Sequence, residues 1–163
     1  KLTRDRGQAL KNLFAEIGST AARAAADSAL MPLGAALGKA LEAVGGVTLR
    51  FKDWSEGAGL ALPILNARPF LELLGDLIVG WQLLEGAMIA GVALQKIYAA
   101  AGAVTSAQRR AWAREHAEAA FYEGKIASAG YFASTILPTI KGRALGIMAG
   151  DRTPIEMLDV SLG

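Results

Sequence analysis

The chain has 163 residues, enough for one domain with a core of useful size. It is 53% hydrophobic, carries a net charge of +2 and contains no cysteine, which excludes disulfides, thiolate nucleophiles and Cys-ligated zinc. The basic residues are dispersed (Arg4/Arg6, Arg50/Lys52, Arg109/Arg110/Arg114, Lys141/Arg143) and do not interleave with aromatics, so no nucleic-acid surface is expected.

Aromatics are few, and much of the apolar content is Ala, Leu and Ile beside 19 Gly. Ala and Leu are strong helix formers, and small residues let helices approach closely. An all-α fold with tight contacts follows. The polar start KLTRDRGQALKNLF does not read as a secretory signal, and a cytoplasmic location is expected. The chain begins at Lys1 and not at Met, so it is expected to be a piece of something longer.

In chain order, residues 3–27 form a first amphipathic stretch, with Leu10, Leu13, Phe14 and Ile17 at helical spacing and a bend expected at Gly18-Ser19. Pro32 suits the first turn of a second helix, which carries Leu33, Leu37, Leu41 and Val44 and continues to Trp54. A break follows over residues 55–66. Pro69 opens a third helix running to about Ala101, with Gly102 as its cap and Thr105 or Ser106 as the next N-cap. A fourth helix runs over residues 107–137 and stops before Pro138. The remainder begins helical, turns irregular at Gly150 and is expected to end as a docked tail. No β-alternating run of useful length occurs. The expected architecture is an up-and-down four-helix bundle with a C-terminal helical or extended tail.

Within the third helix, FLELLGDLIVGWQLLEGAMIAGVAL (70–94) is almost apolar enough to span a membrane, yet carries Glu72, Asp76 and Glu85. An ionised Glu near the middle of a span costs about 2.5–3.5 kcal/mol. A bundle-centre helix therefore fits better than a transmembrane segment. Glu72 and Asp76 share a face at i,i+4, while Glu85 lies half a revolution from Asp76. Paired carboxylates can act as acid and base, but this spacing is equally that of a solvated helix end. Glu85, set among Leu84, Gly86 and Ala87, reads as buried and in need of a partner, most simply in a structural ion pair. Gly75, Gly80, Gly86 and Gly91 read as points of close helix approach.

His116 is the only histidine. Treated as one helix, residues 107–137 place Arg109, Ala113, His116, Ala120, Glu123, Ala127, Tyr131 and Ser134 on one face, so that His116 and Glu123 are expected to point inward. One His cannot supply the paired Glu-x-x-His motifs of a di-iron bundle. No Gly-rich phosphate loop or nucleophile elbow occurs. Arg109, Arg110 and Arg114 read as a solvated basic helix start. From the residues alone, no catalytic, cofactor-binding or metal-binding residue is assigned, and a stand-alone interaction or membrane-associated bundle stays open.

AFYEGKIASAGYFASTILP (120–138), with its F-Y-x-G-K, Y-F and L-P phrases, resembles the extra C-terminal domain of bacterial acyl-CoA dehydrogenases of the 3-methylmercaptopropionyl-CoA dehydrogenase-like class. PFLELLGDLIVGW (69–81) resembles its preceding long helix, and residues 1–20 the segment leaving the dehydrogenase core. The resemblance implies that residues 1–163 are one accessory domain of an FAD-dependent enzyme. It implies acyl-CoA and an electron-transfer flavoprotein as partners of the parent, a homodimer, and no cofactor in this piece. That family's base sits in a Tyr-Glu-Gly-Thr-type phrase. Tyr122-Glu123-Gly124 mimics it, but Lys125 stands in place of the Thr and the phrase falls inside a predicted helix, so Glu123 is not taken as the base.

Overall fold

The first periodic stretch forms α1 (Gln8–Ala25), which passes through Gly18-Ser19 without interruption. Its buried positions Ile17, Thr20, Ala21 and Ala24 fall at helical spacing on one side. The computed structural model describes residues 7–57 and 59–162. The expectation that residues 1–20 leave a preceding core falls partly outside them, and residues 8–20 are helical.

A short turn leads into α2 (Met31–Gly57), with Pro32 in its first turn. There the missing N–H of proline has no helical partner to lose. The two helices meet closely through Gly34: a Cβ at this position would lie 2.6 Å from the Ala21 carbonyl oxygen. The expected break over residues 55–66 is partly filled by a short helix, α3 (Ala61–Leu65). Asn66 separates it from α4 and donates from Nδ2 to the Leu62 carbonyl at 3.0 Å.

The third predicted helix is α4 (Ala67–Ala100). Pro69 is its third residue, still within the turn whose N–H groups lack intrahelical partners. At its other end Gly102 adopts φ +65°, the Ala103 N–H reaches the Tyr98 carbonyl at 2.9 Å and the Gly102 N–H reaches Ala99 at 3.2 Å. This is the double bond pattern of a Schellman cap.

The single fourth helix expected over residues 107–137 is divided. Thr105 and Gln108 form a reciprocal capping box that starts α5 (Ser106–Glu115). At His116 the backbone is extended (φ −125°, ψ 105°), and α6 (Ala117–Thr135) starts anew. Pro138 does not end the helical run. The chain turns at Ile136, and Pro138 falls in the first turn of α7 (Leu137–Met148). The turn tucks the Leu137 side chain against Gly80, where an added Cβ would meet it at 2.8 Å. Of the four glycines expected to mark close approaches on α4, Gly80 does so. A Cβ at Gly75, Gly86 or Gly91 would meet nothing within 4 Å.

Successive contacts fix the topology. Along α4, Tyr98 meets Glu123, Gly80 meets Leu137, and Asp76 meets Arg143. Numbers fall along one strand of the pair as they rise along the other, so α6 and α7 together run antiparallel to α4. The main core is aliphatic, with Ile17, Leu37, Val44, Val47, Leu73, Leu77 and Ile140 fully buried. Phe51, Trp54 and Phe70 close one end, with ring centroids 5.0 Å apart between Phe51 and Phe70. A second, smaller cluster of Leu94, Tyr98, Ala103 and Ala119 lies at the other end of α4.

After Gly150, whose positive φ lets it sit over the Trp54 ring, come α8 (Thr153–Glu156) and a 3-10 turn (Asp159–Leu162). The docking expected of this tail stops at Gly150. Ile155, Met157, Leu158 and Val160 are exposed. Among the described residues there is no strand.

Candidate functional site

Each acid singled out on α4 is held by a cation. Glu72 accepts from Arg68 Nε at 3.0 Å, one turn earlier on the same helix. Asp76 pairs with Arg143 of α7. It lies nine residues past the start of α4, too far in for a first-turn interaction with the helix dipole. Glu72 and Asp76 therefore do not form a carboxylate dyad.

Glu85 is the centre of a polar cluster between α1 and α4. It pairs with Arg23 and accepts from the Thr20 hydroxyl at 2.5 Å. Thr20, only 2% exposed, accepts in turn from Trp81 Nε1 at 2.9 Å. The ion pair expected for Glu85 is present, with Thr20 and Trp81 added, but Glu85 is only half-buried and Arg23 half-exposed, so the pair sits at the edge of the bundle and not inside it. Neither Thr20 nor Trp81 was legible in advance, because their partners stand more than 60 positions away in the chain.

His116 and Glu123 do not share an inward face. Among the residues placed there, Ala120, Glu123, Ala127, Tyr131 and Ser134 are exposed. The face of α6 that packs inward carries Ala119, Ala129 and Ala133, with Tyr122, Ile126 and Phe132 half-buried. Two physical reasons account for the error. The break at His116 resets the helical phase, and Ala occurs on every side of α6, so only the large side chains report which side is buried.

At the end of α4, Tyr98 donates to Glu123 Oε1 at 2.8 Å. Burial, with the Glu123 hydrogen bond and charge adding to it, pushes the Tyr98 phenol up from 10.0 to about 12, against a lowering pull from Arg109. The Arg109 guanidinium lies 5.6 Å from the Tyr98 ring centroid, and its Nε donates to the Ala103 carbonyl at 3.2 Å. Arg109 thus packs on Tyr98 while staying exposed to solvent. Arg110 and Arg114 are exposed.

His116 stacks on Trp112 with ring centroids 3.7 Å apart and planes 7° from parallel, and its Nδ1 lies 2.9 Å from the Trp112 carbonyl. The two rings line a shallow groove of about 580 Å³ with Ile97, Ala101, Glu115 and Glu118. This groove does not suit a flavin dinucleotide. Its walls are Ala-rich, its charged lining residues are two carboxylates, and the diphosphate would be repelled by them. Among the described residues, no group of three His, Asp or Glu is placed to hold a metal ion, and no buried side-chain polar atom lacks a partner.

What emerges is a helical bundle in which Asp76, Glu85 and Glu123 each tie one helix to another. Residues 13–158 match the family described as "Acetyl-CoA dehydrogenase C-terminal like", and the chain belongs to that family. It is similar to the broad-specificity linear acyl-CoA dehydrogenase FadE5 of Mycobacterium tuberculosis, at 32% identity over 164 residues. That similarity covers 98% of this chain and 23% of the relative, so the chain spans about a quarter of the length of the curated relative it matches. The Tyr122-Glu123-Gly124 phrase lies within α6, with the Glu123 carboxylate engaged by Tyr98.

Proposed function

We propose that this chain is the C-terminal accessory domain of an FAD-dependent acyl-CoA dehydrogenase, packed on the catalytic core of its own polypeptide. The observation that carries this reading is the match of nearly the whole chain to under a quarter of a named dehydrogenase. The state of the acids supports it. Glu72, Asp76, Glu85 and Glu123, the acids singled out from the sequence, each serve a structural partner.

In this reading the parent removes hydrogens from the α and β carbons of an acyl-CoA thioester, with flavin supplied by the core and electrons passed to an electron-transfer flavoprotein. The domain adds no chemistry. It buttresses the acyl-CoA site or a homodimer of the cytoplasmic enzyme. α4 is long and apolar enough to cross a membrane by length and composition. Its polar contacts to α1 and α7 favour a bundle centre instead.

The test compares the parent with and without residues 1–163, and the isolated chain beside both. The reading expects flavin and acyl-CoA oxidation in the intact parent, reduced activity or a changed oligomeric state on truncation, and neither flavin nor activity in the isolated chain. A yellow, active isolated chain would refute it.

A further inference from the structure

α4 is the central helix of the bundle, yet one side of it reaches solvent and carries little charge. Between Leu71 and Ile89 its only charged residues are Glu72, Asp76 and Glu85. Asp76 turns to α7 and Glu85 to α1, on opposite flanks of the helix. The outward strip between those flanks is Leu71 (65% exposed), Gly75, Val79 (47%), Gln82 and Ile89 (66%), all at helical spacing, with the exposed Glu72–Arg68 pair bordering only its first turn. A helix facing water normally carries its charges outward.

We infer that this strip of α4 is the face on which the domain docks against the dehydrogenase core of its own polypeptide, an inference that rests on the function proposed above. Size decides between occupants. From Leu71 to Ile89 the helix rises about 27 Å. At one helix width, about 10 Å, the strip offers a few hundred Å², close to the size of the largest apolar patch on a typical monomer, which is often functional. A stable dimer of free chains buries about 800 Å² per partner, well beyond it. A covalently joined domain needs less, because its tether keeps the partner at high effective concentration. The relative carries about three quarters of its length outside the matched segment, which supplies such a partner. A lipid surface is disfavoured by the anchors. Interfacial helices ring their apolar side with Trp, Lys and Arg, whereas Trp81 turns inward to Thr20 and Tyr98 is buried.

Hydroxyl-radical footprinting of the parent enzyme and of the isolated chain tests this. The expected result is that labelling of Leu71, Val79 and Ile89 falls severalfold in the parent, while Leu49 on α2 and Leu145 on α7, equally exposed in the domain, do not change. Protection of Leu49 or Leu145 without the α4 strip would overturn the inference and leave the accessory-domain reading standing. No protection anywhere in the parent would overturn both. Protection in the isolated chain that rises with its concentration would assign the strip to a second copy. Protection only on adding phospholipid vesicles would assign it to a membrane. Either result would overturn the inference.

Discussion

The two ends of α4 live in different surroundings. Its first twenty residues are flanked by α1, α2 and α7, and side chains such as Leu73, Leu77 and Leu84 vanish into an aliphatic core. Its last turns project past those helices. At 34 residues α4 extends about 51 Å, against about 27 Å for the 18 residues of α1. The projecting end has only the α5–α6 elbow for cover, and its closure relies on rings and polar contacts: Trp112 on His116, Arg109 on Tyr98, Tyr98 on Glu123. Where several helices meet, aliphatic packing fills the middle and only the end is closed by rings, Phe51, Trp54 and Phe70. Where one element must be covered by short helices, aromatic stacks and caps take over.

The sharpest way to break this contrast is a pair of truncations. Leu77→Ala should cost about 4 kcal/mol of global stability, since a fully enclosed leucine leaves a cavity that cannot collapse. Leu94→Ala should cost about 2 kcal/mol, because the end cluster can relax. Its hydrogen exchange should accelerate in α5 and early α6 while α1 and α2 stay protected. Equal costs with uniform exchange would erase the distinction between the two regions.

The polar cluster of the main core comes next. Thr20→Val keeps the shape but leaves the Trp81 N–H without its acceptor, for an expected loss of about 2 kcal/mol in chemical denaturation. Glu85→Gln retains an acceptor for Thr20 and loses only the pairing with the half-exposed Arg23, so it should cost under about 1 kcal/mol. Should the second cost more than the first, the charge and not the hydroxyl would be the centre of the cluster.

At the projecting end, Tyr98→Phe should cost about 1 kcal/mol near neutral pH. It also removes a pH dependence whose sign is fixed. The folded phenol ionises at about 12 against 10.0 unfolded, so the unfolded chain sheds its proton first. The stabilisation from protonated Tyr98 is complete below pH 10 and is lost as pH rises from 10 to about 12. Ultraviolet titration of phenolate should show a late component in the native protein that is missing from the Tyr98→Phe variant.

Much of this fold was legible from local signals with a physical cause. Pro32, Gly102 and the Thr105 N-cap mark helix ends because their backbone chemistry leaves few alternatives. The elbow at His116 was not legible. AWAREHAEAA contains neither Gly nor Pro, and its break coincides with the stacking of His116 on Trp112 over the end of α4. The turn at Ile136 was misplaced for a related reason: Pro138 reads as a stop but serves as a start. The partners of Glu85 and Glu123 stayed hidden because long-range pairing is set by packing and not by spacing along the chain. The family resemblance rested on packing phrases in α4 and α6, and these two helices pack on each other more extensively than any other pair of the described elements.

The most direct measurement is to read the coding frame upstream of Lys1. The account predicts several hundred further residues carrying a flavin-binding dehydrogenase core with a Tyr-Glu-Gly-Thr-type phrase. A start codon immediately before Lys1 would contradict it.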